Sequence, residues 1–81
     1  MEHAHRIVIR TKKQDSAFMY HVLEGHEGVA SYSTLDFRTA DPHRDMELWV
    51  TQDFVADVKE LLMDLGEMVE ILTDGDQPVT T

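Results

Sequence analysis

Residues 5–11 alternate in character, with Ile7 and Ile9 pointing one way and Arg6, Val8 and Arg10 the other. A period of two carried by β-branched residues predicts a strand over His5–Thr11, because successive side chains of an extended chain leave on opposite faces. Lys12-Lys13-Gln14 is a polar connector. Ala17, Phe18, Val22 and Leu23 then recur at helical spacing with Met19 beside them, predicting an amphipathic helix from Ser16 to Glu24. Asp15 or Ser16 is the expected N-cap, since either side chain can accept from an orphan N–H of the first turn. Gly25 stands where a left-handed residue is wanted after the helix.

The second strand is expected over Val29–Arg38, from Val29, Tyr32, Thr34, Leu35 and Phe37. Its facing is ambiguous, because Val29, Leu35 and Phe37 share one parity with two serines while Ala30 and Tyr32 share the other. A bulge would reconcile them. Thr39–Arg44, with Asp41-Pro42 as the turn signal, reads as a hairpin loop. Asp45–Thr51 alternates cleanly, with Met46, Leu48 and Val50 on one side and Glu47, Trp49 and Thr51 on the other. Asp53 or Thr51 is expected to cap a second helix with the apolar stripe Val55, Val58, Leu61, Leu62 and Leu65. Gly66 closes it, and Met68–Thr73 is the fourth strand. Residues 74–81 are polar and Gly/Pro-containing, and are expected to form a disordered tail behind a single domain of residues 1–73.

Two strand–helix–strand units joined by a hairpin give the order βαββαβ. Right-handed crossovers place both helices over one side of the sheet. The fold class expected is α+β: a ferredoxin-like two-layer sandwich with an antiparallel sheet of order 4-1-3-2. Ile7, Ile9, Leu48, Val50, Val69 and Ile71 should face the helices and meet Phe18, Val22, Val55, Val58, Leu62 and Leu65. The other side of the sheet has no helix. There Val8, Tyr32, Trp49 and Leu72, mixed with Arg6, Arg10, Glu47 and Glu70, form a candidate interface, since apolar patches rimmed by charge mark interaction surfaces.

Composition narrows the function classes. A chain of 81 residues supports one core. Without cysteine, neither a disulfide nor a thiolate metal site is available, so oligomerisation or a His/carboxylate metal is the remaining way to supplement a small core. The formal net charge is −9, which opposes nucleic acid and anionic membrane as partners. No apolar run approaches the roughly 20 residues that a spanning helix needs. The N-terminus lacks the cationic and apolar regions of a secretory signal, so a cytoplasmic location is expected. The cations nonetheless gather in the N-terminal half, and Arg10, Lys12 and Lys13 are the candidate site for a small anionic ligand.

The run Val-Leu-Glu-Gly-His-Glu-Gly at 22–28, followed by Val-Ala-Ser-Tyr-Ser-Thr-Leu-Asp, then Leu-Trp-Val at 48–50 and the helix Val-Lys-Glu-Leu-Leu-Met-Asp-Leu, resembles a bacterial family of small stand-alone domains of unknown function. More distantly the chain is similar to ACT-like regulatory domains. The resemblance covers residues 6–73 and implies the fold and a tendency to pair. ACT domains usually carry a glycine in the loop after the first strand, where an amino-acid ligand meets the backbone. The loop here, Thr11–Asp15, has none.

Other chemistry finds little support. His3 and His5 could chelate a metal with Glu2, but a terminal pair lacks the hydrogen-bonded surroundings that orient ligands. His21, Glu24, His26 and Glu27 show no convergence on one point, so no metal is expected. Asp53 with Asp57, and Glu60 with Asp64, read as solvated helix faces rather than an acid–base pair. Ser16, Ser31 and Ser33 have no evident His–acid partners, and no phosphate-binding or nucleophile motif is present. The aromatic strand residues Tyr32, Phe37 and Trp49 lack the basic residues of an RNA-stacking sheet. The expectation is therefore a non-catalytic, cofactor-free regulatory or small-ligand-binding module acting as a homodimer. The alternative is a protein–protein adaptor using the open sheet face, with a small metal-dependent enzyme a distant third.

Overall fold

The computed structural model describes residues 4–35 and 42–75, together with the backbone of 77–78. The expected positions His3, Asp36, Phe37, Arg38 and the loop residues 39–41 lie outside the described residues. In chain order the elements are β1 (Ala4–Lys12), α1 (Ser16–Glu24), β2 (Val29–Leu35), β3 (His43–Thr51), α2 (Val55–Asp64), β4 (Val69–Asp74) and a two-residue β5 (Gln77–Pro78). The antiparallel sheet has the order β2-β3-β1-β4-β5. Read backwards, its first four strands are the expected 4-1-3-2. Asp74 ends β4, and residues 77–78 pair with it, Thr73 opposite Pro78 and Asp74 opposite Gln77.

Strand register explains the two sides. Ile7 lies opposite Leu48 and Ile9 opposite Met46, so the apolar parity of both central strands falls on one face. Met19 and Leu23 of α1 and Val58 and Leu62 of α2 join these residues, Val50 and Val69 in a single buried cluster. Both helices therefore cover the same side. Each fully buried side chain of this size contributes about 1.5–3 kcal/mol relative to exposure.

One helix is turned differently from the expectation. Phe18 remains 48 % exposed, while Met19 is completely buried. Six of the nine α1 residues are apolar, so spacing alone left its buried face undecided. Met19 and Leu23, one turn apart, take the core, and Phe18 lies about 100° around the helix from Met19 and about 140° from Leu23. Val22 is half-buried rather than central.

The caps also differ. A 3₁₀ turn precedes each helix, and neither Asp15 nor Phe54, which occupy the cap positions, makes a side-chain cap bond. The Ser16 hydroxyl instead donates back to the Lys13 carbonyl at 2.8 Å. Gly25 ends α1 with φ −83°, still helical, so the left-handed residue expected there is absent. Gly66, with φ 60°, does fulfil that role after α2.

The ambiguity of β2 resolves as a bulge. Its pairing with β3 shifts between Val29 and Ser31, so Val29 and Tyr32 both face the helices while Ser31, Ser33 and Leu35 turn to the open side. Tyr32 is thereby removed from the expected open-face group. A second shift, in β4, leaves Leu72 as the extra residue between Ile71 and Thr73.

Candidate functional site

Three surfaces deserve comparison: the open sheet face, the Arg10–Lys13 cations and a bowl beside the loop after α1.

On the open face, Arg6 lies opposite Trp49, Val8 opposite Glu47 and Arg10 opposite Asp45. Long side chains at these cross-strand positions meet across the pleat. The Arg6 guanidinium donates to Glu47 Oε2 at 2.6 Å, and the Trp49 indole N–H donates to Glu47 Oε1 at 3.1 Å. The Glu47 carboxyl is held below its ordinary range, first by the Arg6 hydrogen bond and then by that of Trp49, against an opposing cost of desolvation. Val8, opposite Glu47, is only 6 % exposed, although among the described residues no helix covers this side. Trp49 is half-buried with its polar handle engaged, which is less than an open docking patch offers.

Arg10 is bound in a two-point contact with Asp45, at 2.8 and 3.2 Å. Lys12 shares its side of β1, and Lys13 begins the turn that follows, its main-chain N–H donating to the Pro42 carbonyl at 2.7 Å. Both lysines are exposed. The three cations are neighbours along the chain, but the charge of Arg10 is already matched by Asp45.

The bowl lies elsewhere. Gly25, His26, Glu27, Phe54 and Asp57 line a concavity of about 410 Å³. Local geometry builds it. The Gly28 N–H donates to His26 Nδ1 at 3.0 Å, which places the proton of the neutral ring on Nε2. The His26 ring stands edge-on to Phe54, centroids 6.3 Å apart at 90°. Gly28 is buried against the same ring, and a Cβ built there would come within 2.4 Å of Phe54 Cβ. Its carbonyl accepts from Thr51 N–H at 2.9 Å, tying the loop to the end of β3. Glu27 and Asp57, the latter in the first turn of α2, add two carboxylates to the rim. From the sequence this loop reads as a turn only. The signal that could have found it is the pair of glycines bracketing His26-Glu27.

A fourth cluster is structural. Asp74, at the end of β4, accepts from Lys59 of α2 and pairs with His5 of β1. Lys59 first, and His5 second, hold its carboxyl below the ordinary range, against desolvation. Gly75, with φ 73°, then donates its N–H to the Arg6 carbonyl at 2.7 Å. These bonds fasten the last residues of β4 to the first of β1.

Among the described residues, no group of three or more His, Asp or Glu side chains has the arrangement of a metal site, and no helix is long and apolar enough to cross a membrane. Compared with protein-family models, curated proteins and solved structures, the chain matches none of them.

Proposed function

We propose that the chain is a non-catalytic regulatory module, ferredoxin-like and ACT-like in architecture, which binds a small ligand and acts as a homodimer in the cytoplasm. The observation that carries this reading is the bowl between the α1–β2 loop and the start of α2. Its size falls within the range of small-molecule sites, and its wall is fixed by the Gly28–His26 bond and the Phe54 ring. It is shallow, so a ligand there is fully enclosed only when a second chain supplies the missing wall. Two carboxylates beside an aromatic ring suit a ligand carrying a cationic group. An anion at Arg10, Lys12 and Lys13 is the second reading, favoured by the two exposed lysines at the end of β1. The adaptor reading draws less support, because Glu47 already engages both Arg6 and the Trp49 indole N–H, and Val8 is buried.

Chemical-shift mapping with a simple alkylammonium salt and with inorganic phosphate tests these readings. Saturable shifts confined to residues 25–28 and 54–57 with the amine support the bowl. Saturable shifts at residues 10–13 with phosphate support the second reading. Linear, non-saturating changes with both probes refute a ligand site of either charge class at these positions.

A further inference from the structure

The ring of His26 is held in the reverse sense to that of His5. His5 Nε2 meets the Asp74 carboxylate, which accepts, so a protonated His5 keeps its partner. His26 Nδ1 instead accepts from the Gly28 main-chain N–H at 3.0 Å. Only a neutral ring has a lone pair to offer there, because both nitrogens of an imidazolium carry protons. Protonation of His26 therefore sets two donors against each other. Gly28 is buried, so its N–H then loses its partner where water does not readily replace it.

The same residues form the wall of the bowl. Val29 N–H donates to the His26 carbonyl at 3.1 Å, and Thr51 N–H to the Gly28 carbonyl at 2.9 Å. The edge of the His26 ring meets Phe54, and Phe54 lies against Gly28, so the orientation of the ring and the position of Phe54 are linked. The charged neighbours are acidic. Glu27 of the same loop and Asp57 of α2 line the bowl with His26. Asp53 precedes Phe54 in the turn before α2, and the last turn of α1 carries His21 and Glu24, the latter accepting from the Tyr32 hydroxyl. An imidazolium released from Gly28 finds carboxylates in its own bowl, and these are the groups that a cationic ligand needs.

We propose that the bowl is proton-gated: a ligand carrying an ammonium group binds while the His26 ring is neutral, and protonation at Nδ1 breaks the Gly28 bond, reshapes the wall and sets a competing cation beside Glu27 and Asp57. Such gating regulates the bowl and rests on the reading of the bowl as a cation site. Imidazole is the side chain that ordinarily changes charge between about pH 5 and pH 8, the range in which a gate of this kind is useful. By linkage, a ligand that needs the neutral ring must oppose its protonation by the same factor.

The test titrates the wild type with methylammonium chloride at several values from about pH 8 to about pH 5, with His26 protonation read from its own ring-proton signals. Methylammonium keeps its charge throughout, so the ligand brings no pH dependence of its own. The dissociation constant should follow the neutral fraction of the ring, rising about tenfold by the point where about nine-tenths of the rings are protonated. Saturating methylammonium should move the ring titration to lower pH. The H26N variant is the control, because an asparagine side-chain oxygen accepts from the N–H two residues on and does not titrate. Its affinity for methylammonium should change less than about twofold over the same range, whereas a pH dependence belonging to Glu27 or Asp57 would survive in it. Constant wild-type affinity while the His26 ring titrates overturns the gate and leaves the bowl reading intact, and so does an H26N variant with the pH dependence of the wild type. Methylammonium that fails to saturate at every pH overturns both. The ligand-free wild type supplies a readout independent of ligand and variant: once the ring is protonated, the Gly28 amide should exchange at least about tenfold faster than the intrinsic pH dependence of exchange allows. Protection of Gly28 that is the same in both ring states overturns the gate.

Discussion

Replacing Gly28 by alanine tests the construction of the bowl. The added methyl would meet Phe54 Cβ at 2.4 Å, Phe54 Cγ at 2.7 Å and His26 Cε1 at 3.0 Å. Such contacts cannot persist, so either Phe54 and the start of α2 move or the 26–28 loop lifts from Thr51. Overpacking of this kind costs about 1–3 kcal/mol. For a domain of this size each kcal/mol lowers the melting temperature by about 4–8 °C, so the expected fall is roughly 5–20 °C. Two other glycines calibrate the effect. Gly25 has a helical φ and only ordinary contacts, His21 O at 3.5 Å and Val22 O at 3.7 Å, so G25A should be neutral or gain up to about 1 kcal/mol from a less flexible unfolded chain. Gly66 has open space around it but φ +60°, so G66A should lose about 1–2 kcal/mol to backbone strain. Thermal unfolding followed by circular dichroism should therefore rank stability as G25A, then G66A, then G28A. A G28A midpoint equal to that of the wild type would mean that Phe54 does not lie on Gly28, and the reasoning about the bowl would fail with it.

The turning of α1 predicts that Met19→Ala costs about 2–5 kcal/mol in urea unfolding, while Phe18→Ala costs well under half as much. Equal losses would show the helix seated on the other stripe. Acid unfolding follows from two carboxylates. Glu47 and Asp74 both have lowered native values, so the stability they contribute is present above their ordinary 4.5 and 3.8 and is lost as pH falls through the native values. Urea midpoints measured from pH 7 to pH 2 should accordingly decline on the acid side, and E47Q and D74N should each begin lower at pH 7 and decline less steeply. Variants that parallel the wild type across the whole range would place those carboxylates in solvent.

How much was legible in the chain depended on how sharply each segment alternates. In β1 and β3, Ile7, Ile9, Met46, Leu48 and Val50 fall on one parity, and register then brings Ile7 opposite Leu48 without choice. The four-strand order followed from two right-handed units. α1 carried no such contrast, since apolar residues surround much of it, and only packing selects Met19 over Phe18. Parity left the facing of β2 ambiguous, with a bulge as one way to reconcile it, and the bulge at Ala30, which turns Tyr32 inward, is a tertiary outcome. On the open face, period-two patterning says which side Val8, Arg6 and Trp49 share, but not that Glu47 accepts from both Arg6 and Trp49 or that Val8 is buried. The bowl depends on contacts between residues 26 and 54, and no local pattern announces a pairing that distant.

Sedimentation equilibrium of the wild-type chain over a hundredfold range of concentration bears most directly on the functional account. A regulatory module completed by its own copy predicts a mass that rises from the 9.3 kDa of the single chain to twice that value and stops there. A mass that stays at 9.3 kDa throughout, or one that climbs past the dimer without limit, would contradict it.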